Sequence, residues 1–337
     1  MHFNYSTYSL KLKHKFTIAR GSEEVVPVVL VYFTKDGVTG VGEAAPSDRY
    51  DEDALRITKY LSTLSFEGIS ANGSLDEWLD WAMAKADGIR SLEAAFDLAL
   101  HDLHGKLNDE PTYAHFGADR ASACTTSFTI GIDDKEKIRE KVLEADIYPL
   151  LKVKLGSDHD KDIINTIREV TNKLIRVDAN EGWDLEEGKR MCDWLAERNI
   201  EFVEQPFPAE NLEDTARLRE YSPLELMADE NCIDSSSIPE IDGAFDGINI
   251  KLMKCGGLRE ASQMIRMARE RDMKIMLGCM VETSVAITAA ATLSPLVDYA
   301  DLDGNILTTN DPFDGVKVED GKLILPEGPG LGISLKA

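Results

Sequence analysis

The sequence predicts an α/β protein, a closed barrel of parallel strands preceded by a small α+β domain. Three observations carry this expectation. The chain has 337 residues, which suits one large barrel with an accessory piece. Residues 1–118 read as strands followed by helices, the pattern of an α+β unit. Residues 119–307 instead alternate eight short apolar runs with amphipathic segments. Strand–helix alternation gives parallel strands joined by right-handed crossovers, and eight of them suit a closed barrel more than an open sheet.

The elements follow in order. MHFNYSTYSLKLKHKF and VVPVVLVYFTKDGVTGVGEA are rich in β-branched residues and alternate with period 2, with Lys35-Asp36-Gly37 as a hairpin turn. Asp53–Leu64 and Ser91–Leu107 read as helices. In the second, Leu92, Ala95, Phe96, Ala99 and Leu103 fall at helical spacing. The eight strand candidates are CTTSFTIGI, PLLKVKLG, LIRVDAN, IEFVEQP, LELMADE, GINIKLM, KIMLGCM and YADLDG. Helical stretches such as LEEGKRMCDWLAERN and GLREASQMIRMARERDM separate them, and all but the last strand are followed by one. Gly256-Gly257 lacks a phosphate-loop pattern and reads as a tight βα turn. The tail, about 308–337, is rich in Gly and Pro and is expected to pack back on the N-terminal domain and complete it.

Composition excludes several classes. With 37 Lys and Arg against 61 Asp and Glu, the net charge is −24. That balance argues against nucleic acid and against anionic membrane surfaces, both of which attract cations. The cysteines (Cys124, Cys192, Cys232, Cys255 and Cys279) are odd in number and form no Cys-x-x-Cys pair. A disulfide framework is therefore not expected, and a reducing, cytoplasmic setting is. No apolar run reaches membrane-spanning length, and the N-terminus does not read as a signal peptide.

Polar residues sit near the C-terminal ends of the barrel strands, where the interior should be apolar. Lys152 and Lys154 lie on the second strand, Asp178 ends the third, Glu204 the fourth, and Asp229-Glu230 the fifth. Lys251 lies on the sixth, and Asp301 and Asp303 on the eighth. A barrel gathers such residues at one mouth. Three carboxylates from consecutive strands make a hard oxygen site suited to Mg²⁺. Lysines from the second and sixth strands flank it on opposite sides. A metal between opposed lysines suits removal and return of an α-proton beside a carboxylate. Neighbouring positive charge, including that of a paired lysine, is expected to lower the lysine pKa.

Lys-x-Lys, Val-Asp-Ala-Asn, Val-Glu-Gln-Pro, Ala-Asp-Glu and Asn-Ile-Lys, in this order on these strands, resemble the enolase superfamily, and within it the muconate-lactonizing-enzyme subgroup. The resemblance covers nearly the whole chain. It implies a (β/α)7β TIM-like barrel with an N-terminal α+β capping domain. No histidine follows His159, so a histidine base on the seventh strand is not expected. The superfamily's lysine base and Mg²⁺-stabilised ene-diolate are a worked pattern of active-site chemistry.

Asp301-Leu302-Asp303-Gly304 resembles the D-x-D signature of dipeptide epimerases, whose two carboxylates hold a free ammonium. By this resemblance Asp178, Glu204 and Asp229 bind one Mg²⁺ per subunit, and Lys154 and Lys251 are the acid/base pair of a 1,1-proton transfer. Lys152 contacts the substrate carboxylate. Thr129, Cys279 and Val281 contact substrate, the last two mainly through backbone. Arg20 resembles an arginine that binds the side-chain carboxylate of a C-terminal glutamate. The implied partner is a small dipeptide, most simply L-Ala-D-Glu or L-Ala-L-Glu of murein peptide metabolism, acted on by a homo-oligomer. The alternatives are a cycloisomerase or o-succinylbenzoate synthase on the same scaffold, an epimerase for hydrophobic or basic dipeptides, and a non-catalytic metal-dependent binding protein. The acids of the loop Asp48–Asp53 are a further expected influence, favouring a basic side chain.

Overall fold

The computed structural model describes residues 1–19, 21–69 and 72–336. Strands β1 (His2–Ile18), β2 (Gly21–Lys35) and β3 (Val38–Ala44) form an antiparallel sheet in chain order. Asp36 and Gly37 turn between β2 and β3 at φ 53° and 80°, the left-handed pair that a two-residue hairpin loop demands. Helices α1 (Ala54–Leu61), α2 (Leu75–Ala86), α3 (Arg90–Asn108) and α4 (Thr112–His115) follow. The five apolar residues that predict α3 are all fully buried. Helix α3 presses so closely on β3 that a Cβ at Gly42 would stand 1.9 Å from the Ala95 carbonyl oxygen.

The barrel strands are β4 (Phe128–Ile130), β5 (Leu150–Lys154), β6 (Leu174–Asp178), β7 (Ile200–Glu204), β8 (Glu225–Ala228), β9 (Gly247–Ile250), β10 (Lys274–Leu277) and β11 (Tyr299–Ala300). They pair in sequence order, each parallel to the next. Thr126 bridges to Ala300, and Ser127 N–H donates to the Ala300 carbonyl at 3.3 Å, which joins the first strand to the last. Every strand lies inside its predicted run. Between them run α5 (Lys135–Glu144), α6 (Asp160–Val170), α7 (Leu185–Ala196), α8 (Leu212–Tyr221), α9 (Ile238–Ile241), α10 (Leu252–Cys255), α11 (Leu258–Arg269) and α12 (Ser284–Thr292).

Ladder pairing ends earlier than the sequence pattern implies. β11 stops at Ala300, β9 at Ile250 and β8 at Ala228, so Asp301, Asp303, Lys251 and Asp229-Glu230 stand just beyond their strands rather than on them. There the backbone is free to turn its side chains into the mouth. Inside the barrel, Phe202, Met227 and Met276 pack with Tyr299, and the buried Arg176 stacks on Tyr299 with 4.6 Å to the ring centroid.

Two buried carboxylates fasten the N-terminal elements to barrel helices. Glu43 of β3 accepts from Thr283 N–H at 2.8 Å, Thr283 Oγ1 at 2.5 Å and Ala286 N–H at 3.2 Å, satisfying the start of α12. Asp97 of α3 accepts from Leu258 N–H at 2.7 Å at the start of α11. Gly257, at φ 121°, makes this approach possible, since a Cβ there would lie 2.4 Å from the Asp97 side chain. The tail holds β12 (Phe313–Asp314), β13 (Lys317–Glu319), β14 (Lys322–Ile324) and β15 (Ser334–Leu335). It touches both parts of the molecule. Leu331 N–H donates to Asp102 of α3 at 2.8 Å, and Leu323 N–H to the Cys124 carbonyl at 3.1 Å.

Candidate active site

The charged residues of six strands converge at one mouth. One carboxylate oxygen from each of Asp178, Glu204 and Asp229 lies within 4.8 Å of the others, and all three residues are buried. Period 2 turns Lys152 and Lys154 to the same face of β5. Lys152 Nζ reaches Glu204 Oε2 at 2.7 Å, Asp301 Oδ2 at 2.7 Å and Asp178 Oδ2 at 3.4 Å. Lys154 Nζ lies 2.7 Å from Asp178 Oδ2. Lys251, four strands round the barrel, lies 2.8 Å from Asp229 Oδ2.

Burial sets the electrostatics. It disfavours every charge here, and the balance among partners then decides each group. Burial alone would lower the Lys251 ammonium, yet Asp229 carries it well above the ordinary lysine range. Lys152 is likewise held up by Asp301, Glu204 and Asp178 against burial. Around these two lysines the carboxylates outweigh the neighbouring ammonium groups, although Lys152 lowers Lys251 in the expected direction. Burial opposes ionisation of Asp229 too, but Lys251 and Lys254 hold it well below the usual carboxylate range. Glu204 is pushed up to about 7, by burial first and by Asp178 next.

Asp301 and Asp303 stand beside the first strand. Asp301 is committed on both oxygens, with Ser127 Oγ donating to Oδ1 at 2.5 Å and Lys152 to Oδ2 at 2.7 Å. Asp303 accepts Thr129 N–H through Oδ2 at 2.6 Å. Burial raises both carboxyls, but Lys152 brings Asp301 down to about 2. Asp303 is raised to about 7, by burial and then by Asp301. Thr129 therefore serves the second carboxylate through its backbone. Cys279 donates Sγ–H to the Asp301 carbonyl at 3.3 Å, and burial keeps its thiol protonated, so it is no nucleophile. Val281 is buried in the segment after β10. Arg20 lies outside the described residues.

Sequence reasoning missed three contributors. Lys254 is fully buried, and its Nζ lies 2.6 Å from Asp229 Oδ1. Asn249 donates Nδ2–H to Glu204 Oε1 at 2.7 Å. Their signal was polarity: Asn249, Lys251 and Lys254 interrupt an otherwise apolar run. Tyr50, from the N-terminal part, feels both Asp229 and Lys251. Burial first, and then Asp229, push its phenol well above the ordinary range. Its neighbour Arg49 makes a two-pronged pair with Glu181, at 2.9 and 3.0 Å. Two of the four loop acids expected to greet a basic side chain, Glu52 and Asp53, are engaged elsewhere. Glu52 accepts from the N–H groups of Arg90 and Ser91, and Asp53 caps α1 through Arg56 N–H.

Comparison with known proteins decides the family. Residues 6–117 match the mandelate racemase / muconate lactonizing enzyme N-terminal domain, and residues 135–337 match the enolase C-terminal domain-like family. The chain belongs to the enolase superfamily. An L-Ala-D/L-Glu epimerase of Bacteroides thetaiotaomicron is 44% identical over 335 residues, covering 99% of this chain and 88% of that protein. A substrate-liganded L-Ala-D/L-Glu epimerase from Bacillus subtilis superposes with TM-score 0.90 at 27% identity, covering 100% of this chain and 99% of the other. A dipeptide epimerase of Enterococcus faecalis, complexed with Mg and L-Leu-L-Tyr, gives TM-score 0.88 at 32% identity with 98% of each chain covered.

Like these superfamily members the protein is an isomerase, and its cofactor is Mg²⁺. The donor set fits that ion: three buried carboxylates, all hard oxygen, with one oxygen of each gathered into a single cluster. When bound, Mg²⁺ supplies the positive charge that stabilises the enolate form of a substrate carboxylate. The rest of the chemistry lies with the side chains. Lys154 ends β5 and Lys251 follows β9, four strands round the barrel, each bonded to a carboxylate of the triad. Among the described residues, no helix is long and apolar enough to cross a membrane.

Proposed function

We propose that this Mg²⁺-dependent dipeptide epimerase acts on alanyl-glutamate, interconverting L-Ala-L-Glu and L-Ala-D-Glu, with a place in murein peptide metabolism. The observation that carries the reading is the Asp301/Asp303 pair beside the lysine-flanked triad, which offers carboxylates to a free ammonium. In this reading Lys152 orients the substrate carboxylate. Lys154 and Lys251 exchange the α-proton of the C-terminal residue on its two faces. Arg20 takes the glutamate side chain. The 44% identical relative supports glutamate. Relatives described as hydrophobic dipeptide epimerases are 34–36% identical. Of the loop acids, Glu52 and Asp53 are engaged at helix starts and so are not offered to a basic side chain.

The test is a dipeptide library incubated with enzyme and Mg²⁺ in D₂O and read by mass spectrometry. Alanyl-glutamate is expected to gain one deuteron fastest. Faster exchange of leucyl or lysyl dipeptides would overturn the choice of glutamate. Exchange of no dipeptide would overturn the epimerase reading itself.

A further inference from the structure

Each carboxylate of the triad has one oxygen held by the protein and one turned to a lysine that faces the mouth. Asp178 Oδ1 accepts Asn180 N–H at 2.9 Å, while Oδ2 faces Lys154 at 2.7 Å. Glu204 Oε1 accepts Asn249 Nδ2–H at 2.7 Å, while Oε2 faces Lys152 at 2.7 Å. Asp229 Oδ1 accepts from Lys254 Nζ at 2.6 Å, while Oδ2 faces Lys251 at 2.8 Å. We infer that Asn249 and Lys254 are positioning residues that occupy the outer oxygens of Glu204 and Asp229. Each carboxylate then offers a metal a single oxygen, and an octahedral cation keeps half its positions for water and substrate.

Both residues are built for that task. Lys254 has three donors, and they go to Asp229 Oδ1, the Asp229 carbonyl at 2.6 Å and the Asn249 carbonyl at 3.0 Å. None remains for a substrate, which separates Lys254 from Lys152, Lys154 and Lys251. The Asn249 amide occupies the space that a missing side chain leaves. A Cβ at Gly278 would stand 2.4 Å from Asn249 Oδ1 and 2.8 Å from Nδ2. Glycine at 278 thus makes room for the amide that holds Glu204.

The inference rests on the triad as the metal site, not on the choice of dipeptide. Mn²⁺ is the probe. Its bound waters are counted by electron–nuclear double resonance, and its affinity is measured by titration, both in the absence of substrate. The wild type is expected to keep three waters on Mn²⁺. Lys254→Met and Asn249→Leu each free one oxygen for chelation, so each is expected to lose one water. A folded variant that instead binds Mn²⁺ at least about tenfold more weakly also supports the inference, because the carboxylate has left its pose. Unchanged water number and unchanged affinity in the folded variants overturn it, as does a wild type holding fewer than three waters. Gly278→Ala, which removes no polar group and displaces the Asn249 amide, gives the same reading if the other variants fail to fold. If Asp229→Asn binds Mn²⁺ as tightly as wild type, the triad reading itself has failed, and that outcome is separate.

Discussion

Replacing Asp303 by Asn tests the substrate reading most directly. Asn is nearly isosteric, and its amide oxygen can still accept Thr129 N–H, which Asp303 now holds at 2.6 Å. What is lost is charge opposite the substrate ammonium. Asp301 compensates only in part, because its oxygens also serve Ser127 and Lys152. A charge-assisted hydrogen bond contributes about 1.5–3 kcal/mol, so KM for alanyl-glutamate should rise roughly 10- to 150-fold at pH 8. The turnover number should change much less, since the ammonium lies away from the carbon that ionises. The pH profile carries the same signature. Burial, and next Asp301, raise Asp303 to about 7, and only its ionised form attracts an ammonium. In the wild type kcat/KM should therefore rise with pH along a limb at or below pH 7, since bound Mg²⁺ moves it only downward. The variant should lack that limb. Steady-state epimerisation followed by polarimetry from pH 5 to 9 measures both effects. A KM within twofold of wild type, or an equal loss with an N-acetylated dipeptide that has no ammonium, would refute the reasoning.

Further outcomes follow from the same geometry. Lys154→Ala and Lys251→Ala should each lower epimerisation by at least about 10²-fold. Each should still exchange the α-proton of one stereoisomer with D₂O, the opposite isomer in the two variants, and exchange of both isomers by either variant would sink the two-sided arrangement. Glu43→Ala strips the buried donors of Thr283 and Ala286 of their acceptor. Urea unfolding should show a loss of about 2 kcal/mol or more, and a loss under about 0.5 kcal/mol would mean that water has replaced the carboxylate. Gly42→Ala drives a Cβ against the Ala95 carbonyl, 1.9 Å away, in the middle of α3. Overpacking there should cost at least about 2 kcal/mol, and an unchanged melting temperature would show that α3 shifts freely.

Much of this protein was legible in its sequence because the signals were local. Period 2 marked β1 to β3, apolar runs marked the barrel strands, and Asp36-Gly37 marked the hairpin. Each depends only on which residues a few positions apart must share a face. The site carboxylates and lysines were legible for a related reason. They recur once per strand–helix unit, and a charge at the end of a buried strand stands out against its apolar neighbours. Partnership was not legible, because it depends on where distant elements meet. Glu52 and Asp53 look like free loop acids until α3 and α1 place their N-termini beside them. The tail's partners, Asp102 of α3 and Cys124 ahead of the first barrel strand, lie far away in sequence and meet it only in the fold. Lys254 looks like one more lysine in a helical stretch until the fold buries its ammonium against Asp229. The sequence by itself determined the barrel and the roster of charges at its mouth, since both follow from local patterning. Only the tertiary structure decided which oxygen each donor holds, because in a dry interior every charge takes the partner that geometry leaves within reach.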